Sequence, residues 1–130
     1  MQRKVKIILN PMADMGNSWR IARDLRSITE QRGGIEWAGT EAERQKVKDD
    51  FGKVVTWAKA NNRPIFLGEF GAYDRGPMES RARYTDCIAR TAEANGWSWA
   101  YWQFDSDFIL YDIPNERWVE PILRALIPAR

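Results

Sequence analysis

The sequence predicts an α/β fold of parallel strands flanked by helices. Short apolar runs at residues 5–9, 64–69 and 97–104 have the length and composition of strands. Longer amphipathic stretches stand between them. The resulting order is strand, helix, helix, strand, helix, strand, helix. That is the order of β/α units, whose right-handed crossovers lay strands parallel.

Val5 to Leu9 forms the first run, stopped by Asn10-Pro11. Asn17 or Ser18 caps an expected helix to about Gln31, with Ile21, Ala22, Leu25 and Ile28 on one face and Gly33-Gly34 at its end. A connector carries Trp37. Thr40 and Glu43 have the spacing of a capping box, opening a helix to about Asn61. Its expected buried stripe is Val47, Phe51, Val54, Val55 and Ala58. Pro64 then opens the run Ile65-Phe66-Leu67, whose continuous apolar character predicts a strand covered on both faces. Pro77 suits the first turn of the next helix, which reaches Asn95-Gly96 with Tyr84, Cys87, Ile88 and Thr91 inward. In Trp97-Ser98-Trp99-Ala100-Tyr101-Trp102 large and small side chains alternate. Trp97, Trp99 and Tyr101 are expected against helices, and Ser98, Ala100 and Trp102 on the opposite, roomier face. A last helix is expected from about Glu116 to Leu126. Trp57 and Trp118 are expected in the core.

Composition narrows the function. The chain of 130 residues suits a single domain, taken as residues 1–130. A net charge of +2 gives no basis for nucleic-acid binding. There is no histidine, which excludes a histidine base and a histidine-ligated metal. Cys87 is the only cysteine, so no disulfide forms within the chain. No signal-peptide pattern opens the sequence, and no stretch is long and apolar enough for a membrane helix. No metal site and no cofactor are expected, and no nucleic-acid or membrane partner. The seven tryptophans fit either a packed core or the stacking of sugar rings on indole.

One stretch carries chemistry. Glu69 stands at the C-terminal end of an apolar strand, between Gly68 and Gly71. A carboxylate there is costly unless it is paired or used. The C-terminal ends of parallel strands are also where α/β proteins place their sites. A structural acid and a catalytic one are both open at this point.

Leu67-Gly68-Glu69-Phe70-Gly71-Ala72-Tyr73, Glu79-Ser80-Arg81, Trp97 to Trp102 and Tyr111-Asp112 together resemble the C-terminal part of family 5 glycoside hydrolases, nearest to bacterial endo-β-1,4-glucanases. The likeness runs from near Trp37-Ala38-Gly39-Thr40 to Ala125-Leu126, leaving residues 1–34 unmatched. It implies a partial (half) TIM-type β/α barrel, with Pro64 to Glu69 as the seventh strand and Trp97 to Trp102 as the eighth. Glu69 then corresponds to the catalytic nucleophile, and Trp102 to the tryptophan beneath the sugar at the cleavage point. Tyr73 and Trp37 are further candidates for sugar contact. The implied ligand is a β-glucan or cello-oligosaccharide, and the parent enzyme is expected to be secreted.

The sequence departs from that family in two ways. A complete (β/α)8 barrel takes about 250 residues, and this chain is shorter. The family's general acid, a Glu following Asn at the end of the fourth strand, is not found: Ile8-Leu9-Asn10-Pro11 matches that motif only faintly, with no Glu between Asn10 and Pro11. Asp105 and Asp107 lie beyond Trp102 and are read mainly as loop or capping residues. The expectation is therefore a hydrolase fragment of feeble activity, against a non-catalytic glucan binder or a structural half-barrel. An open barrel face carrying Ile65, Leu67, Ala100 and Trp102 predicts a homodimer or higher homo-oligomer.

Overall fold

The computed structural model describes residues 36–129. The expected strand at 5–9 and the expected helix ending near Gln31 lie outside them. The described part opens with helix α1, Glu41–Asn61. Its capping box closes as expected. Glu43 N–H donates to Thr40 Oγ1 at 3.3 Å, and Thr40 N–H donates back to Glu43 Oε2 at 2.8 Å. These bonds, the Thr40 N–H first, hold the Glu43 carboxyl below the usual carboxylate range. Asn62 ends the helix in the left-handed region, φ 48°, with its N–H on the Ala58 and Lys59 carbonyls.

The stripe of α1 is narrower than expected. Val47 and Phe51 pack against the core, and Phe51 stacks on Trp97 with ring centroids 4.9 Å apart. Val54, expected in the stripe, is exposed, and Trp57, expected in the core, is 55% exposed. Trp57 lies about a third of a turn round the helix from Phe51, beyond the line of contact.

Strand β1, Phe66–Phe70, runs parallel to strand β2, Ser98–Tyr101, with Leu67 opposite Trp99 and Phe70 opposite Tyr101. Between them in sequence runs helix α2, Met78–Ala94, entered through Pro77. Trp99 and Tyr101 meet Phe70 edge-on, on the helix side, as the alternation predicted. Two expectations about β1 are corrected. The strand is not covered on both faces, because Phe66 is 64% exposed. Leu67, expected on the open face, packs with the core instead. The register shifts between Leu67 and Phe70. Such a bulge breaks the period-two count, so two residues three apart reach the same layer.

The last expected helix starts late. Tyr111–Asp112 (β3) and Arg117–Trp118 (β4) pair as an antiparallel hairpin, and helix α3 begins only at Glu120 and ends at Leu126. The signal was the turn Ile113-Pro114-Asn115-Glu116, where Glu116 takes φ 49°. Asn115 and Arg117 both donate to the Asp112 carboxylate and, with Asn115 the larger influence, hold its pKa below the usual range. Trp118 is not core. It stands edge-on to Tyr111 and Phe104 and remains substantially exposed. The core proper is Phe70, Ile88, Ala89, Ile122 and Leu126, where α2 and α3 close over one face of the sheet. Arg90 on α2 ties the layer by donating to the Leu126 carbonyl at 2.9 Å.

Ile122 is fully buried, so Ile122→Ala is expected to cost about 2–5 kcal/mol in urea unfolding followed by circular dichroism. Gly52 lies within α1, and a Cβ there would meet nothing within 4 Å. Gly52→Ala should therefore raise stability in the same measurement, by about 0.5–1 kcal/mol.

Candidate active site

Because β1 and β2 are parallel, their C-terminal ends lie side by side. Glu69, half-buried, is the penultimate residue of β1. Trp102 follows β2 directly and is 44% exposed. Its N–H donates to the Phe70 carbonyl at 2.7 Å, extending the ladder past the last strand residue. Glu69 and Trp102 therefore occupy the same end of adjacent strands. The Trp102–Gln103 peptide is cis.

Gly71 fits this end tightly. A Cβ on it would lie 1.8 Å from the Trp102 carbonyl oxygen and 3.1 Å from the Phe108 ring. Only a residue without a side chain permits that approach. The two loops beyond are then stitched together. Asp74 N–H donates to the Asp107 carbonyl at 2.7 Å, and Gln103 N–H to the Phe108 carbonyl at 3.3 Å. Tyr73 leans on Phe108, ring centroids 5.8 Å apart, and stays half exposed. The chain thus brings Glu69 and the accessible rings of Tyr73 and Trp102 to the C-terminal ends of the two strands and the loops beyond them.

Trp37 is placed differently. Its N–H donates to Ser80 Oγ at 2.7 Å, and that hydroxyl donates back to the Trp37 carbonyl. Its ring meets Tyr84 edge-on and lies under the Arg44 guanidinium, 5.6 Å from the ring centroid. Those partners belong to the helices, whereas Glu69, Tyr73 and Trp102 belong to the strand ends and their loops. Asp105 is half-buried before the 3-10 turn Ser106–Phe108, and its side chain makes no capping bond to that turn. Asp107 is exposed.

The sequence assigned no role to two residues, although Arg81 stands in the Glu79-Ser80-Arg81 stretch. Phe108 is the hub of the two loops. Arg81 is buried, and its Nη1 donates to the Asp74 carbonyl at 3.4 Å. Helical spacing could have found Arg81, since it lies three and seven residues before the inward-facing Tyr84 and Ile88. Nearby, burial pushes the Tyr101 phenol above its ordinary pKa, and the Arg81 charge draws it partly back.

Comparison with known proteins bears on the family and the fold. Residues 17–108 match the cellulase model, glycosyl hydrolase family 5, so part of the segment 1–34 falls within the match. Endoglucanase H of Acetivibrio thermocellus is 28% identical over 94 residues, which are 68% of this chain and 10% of that protein. A hyperthermophilic endo-β-1,4-glucanase solved in complex with substrate is 44% identical with a TM-score of 0.71, over 74% of this chain and 31% of its own. Cel5A of Thermotoga maritima, solved in complex with cellobiose, is 38% identical with a TM-score of 0.72, over 75% and 32%. The chain thus spans about a third of these solved relatives and about a tenth of the curated one. The solved relatives are TIM barrels, and the architecture here is a partial β/α barrel of that type.

The Gly71 contact gives a direct test. Gly71→Ala must displace the Trp102 peptide, and is expected to cost about 1–3 kcal/mol or more. The measurement is thermal unfolding, with near-ultraviolet circular dichroism to register the displaced tryptophan.

Proposed function

The chain belongs to glycosyl hydrolase family 5, and on that premise we propose that it is a portion of a retaining endo-β-1,4-glucanase carrying the nucleophile half of the site. The observation that carries the reading is the placement of Glu69 and Trp102 at one end of adjacent parallel strands, joined through the Phe70 carbonyl and Gly71. In this proposal the Glu69 carboxylate attacks the anomeric carbon as its bond to the glycosidic oxygen breaks and the leaving glucan departs as an alcohol; the glycosyl ester so formed is hydrolysed by water, which frees Glu69 and a sugar with a free anomeric hydroxyl. The Trp102 face supports the apolar side of the glucose ring undergoing attack, and Tyr73 supports a neighbouring one. Trp37, half-buried among helix residues, enters only as an outer sugar contact.

A retaining mechanism also needs a second carboxyl about 5–5.5 Å from the nucleophile, to protonate the leaving oxygen and then activate water. We assign that role to no residue in 36–129. Turnover of soluble β-1,4-glucan is therefore expected to fall on the order of a thousandfold below that of an enzyme with both carboxyls.

A 2-deoxy-2-fluoro-β-cellobioside with a dinitrophenol leaving group separates the two roles, because that leaving group departs without an acid. Mass spectrometry is expected to find the sugar esterified to Glu69, and Glu69→Gln to take no label. Absence of label on the wild type removes Glu69 from the role of nucleophile. Cello-oligosaccharide binding without label would favour a binding protein, the reading supported by the exposed Trp102 and Tyr73. Robust hydrolysis of soluble glucan, lost in Glu69→Gln, would overturn the low-turnover part of the proposal.

We also propose self-association, as a homodimer or higher homo-oligomer. Phe66 lies open on the sheet, and covering one Phe side chain is worth about 1.5–3 kcal/mol. Light scattering at micromolar concentration is expected to return at least twice the 15.1 kDa chain mass. A monomer under those conditions refutes it.

A further inference from the structure

We propose that Arg81 is a positioning residue, bracing from behind the loop that carries Tyr73 and follows directly on the strand end bearing Glu69. This rests on the reading of Glu69 as nucleophile, but the brace itself is tested without chemistry.

Arg81 is only 5% exposed, in the first turn of α2. Its Nε and Nη2 are buried without a hydrogen-bond partner, and no ion pair reaches it among the described residues. Beside it the hydroxyls of Thr85 and Tyr101 are buried in the same condition. The Tyr101 hydroxyl approaches Ala72 N–H and the Thr85 hydroxyl without closing a bond of full geometry. A cation held this way is costly. Arg90, two and a half turns along the same helix, is better partnered: its Nη2 meets Glu93 and the Leu126 carbonyl, while its Nε alone is buried without a partner.

What Arg81 does touch is informative. Nη1 donates to the Asp74 carbonyl, and the side-chain stem lies against Gly76, within 3.5 Å of where a Cβ would be. Asp74 is also the residue whose N–H reaches Asp107 in the facing loop. Arg81 therefore grips the point where the two loops join. Tyr101, within the field of Arg81, approaches the same loop at Ala72. Three residues before Ala72 stands Glu69. Without Arg81 the loop relaxes, and the carboxylate loses its line to the sugar.

The test uses the whole chain with Arg81→Met, Arg81→Lys and, as control, Arg90→Met. Amide hydrogen exchange over residues 71–76 is expected to quicken about tenfold in Arg81→Met, with residues 84–92 of α2 unchanged. Arg81→Lys should fall between, and Arg90→Met should leave 71–76 as in the wild type. With the fluoro-cellobioside, the labelling rate constant of Arg81→Met should drop on the order of a hundredfold. Its apparent affinity for the sugar should stay within about twofold. A purely structural role would move the melting temperature without this split. The proposal is overturned if exchange at 71–76 is unchanged in Arg81→Met, or if Arg90→Met changes it equally. Faster exchange throughout Arg81→Met signals global unfolding, and Arg81→Lys then decides. If the wild type takes no label, the nucleophile assignment fails, and exchange alone judges the brace.

Discussion

The contact between Gly71 and the Trp102 peptide, beside the bond from Trp102 N–H to the Phe70 carbonyl, is the constraint on which the candidate site depends. It joins the two strands at the only end where both carry chemistry. Below it the ladder is short and contains a register shift. Above it, the loops are held by backbone bonds, Asp74 to Asp107 and Gln103 to Phe108. A site built on strand ends is stiffer than one built on loops alone. Here the stiffness comes from a close approach that only glycine allows.

The layers explain why the surface looks as it does. Helices α2 and α3 close over one face of the sheet and supply nearly all the full burial. The other face bears Phe66 and Trp102, both exposed. Apolar surface left uncovered forgoes stabilisation at about 25 cal/mol per Å2. The same exposure leaves Trp102 accessible to a sugar and the sheet accessible to another protein surface, so stacking and association draw on one feature.

The polar interior is concentrated behind the strand ends. Ser80 exchanges two hydrogen bonds with the Trp37 backbone, anchoring the entry to α1 on α2. Arg81, Thr85 and Tyr101 form the second group, buried between helix and sheet. Such groups raise the cost of misplacing an element more than they add to net stability. Their concentration at the strand C-termini ties helix α2 to the loop carrying Tyr73.

The sequence by itself determined the β/α order, the capping box at Thr40, the position of a carboxylate near the end of β1 and the face of β2 that turns Trp99 and Tyr101 to the helices. Each is a local signal: periodicity, cap spacing, or strand alternation within a few residues. Tertiary structure alone decided which face of β1 carries Leu67, because a bulge resets the count and leaves no mark in composition. It decided that Trp57 and Trp118 stay exposed, since apolar character does not say which residues find a partner. It also replaced the start of the last helix with a hairpin, where cross-strand pairing of Tyr111 with Trp118 outweighs weak helical propensity. Gly71 could be read as permissive from sequence. That it must be glycine follows only from the Trp102 carbonyl lying where a side chain would be, a contact between residues far apart in the chain.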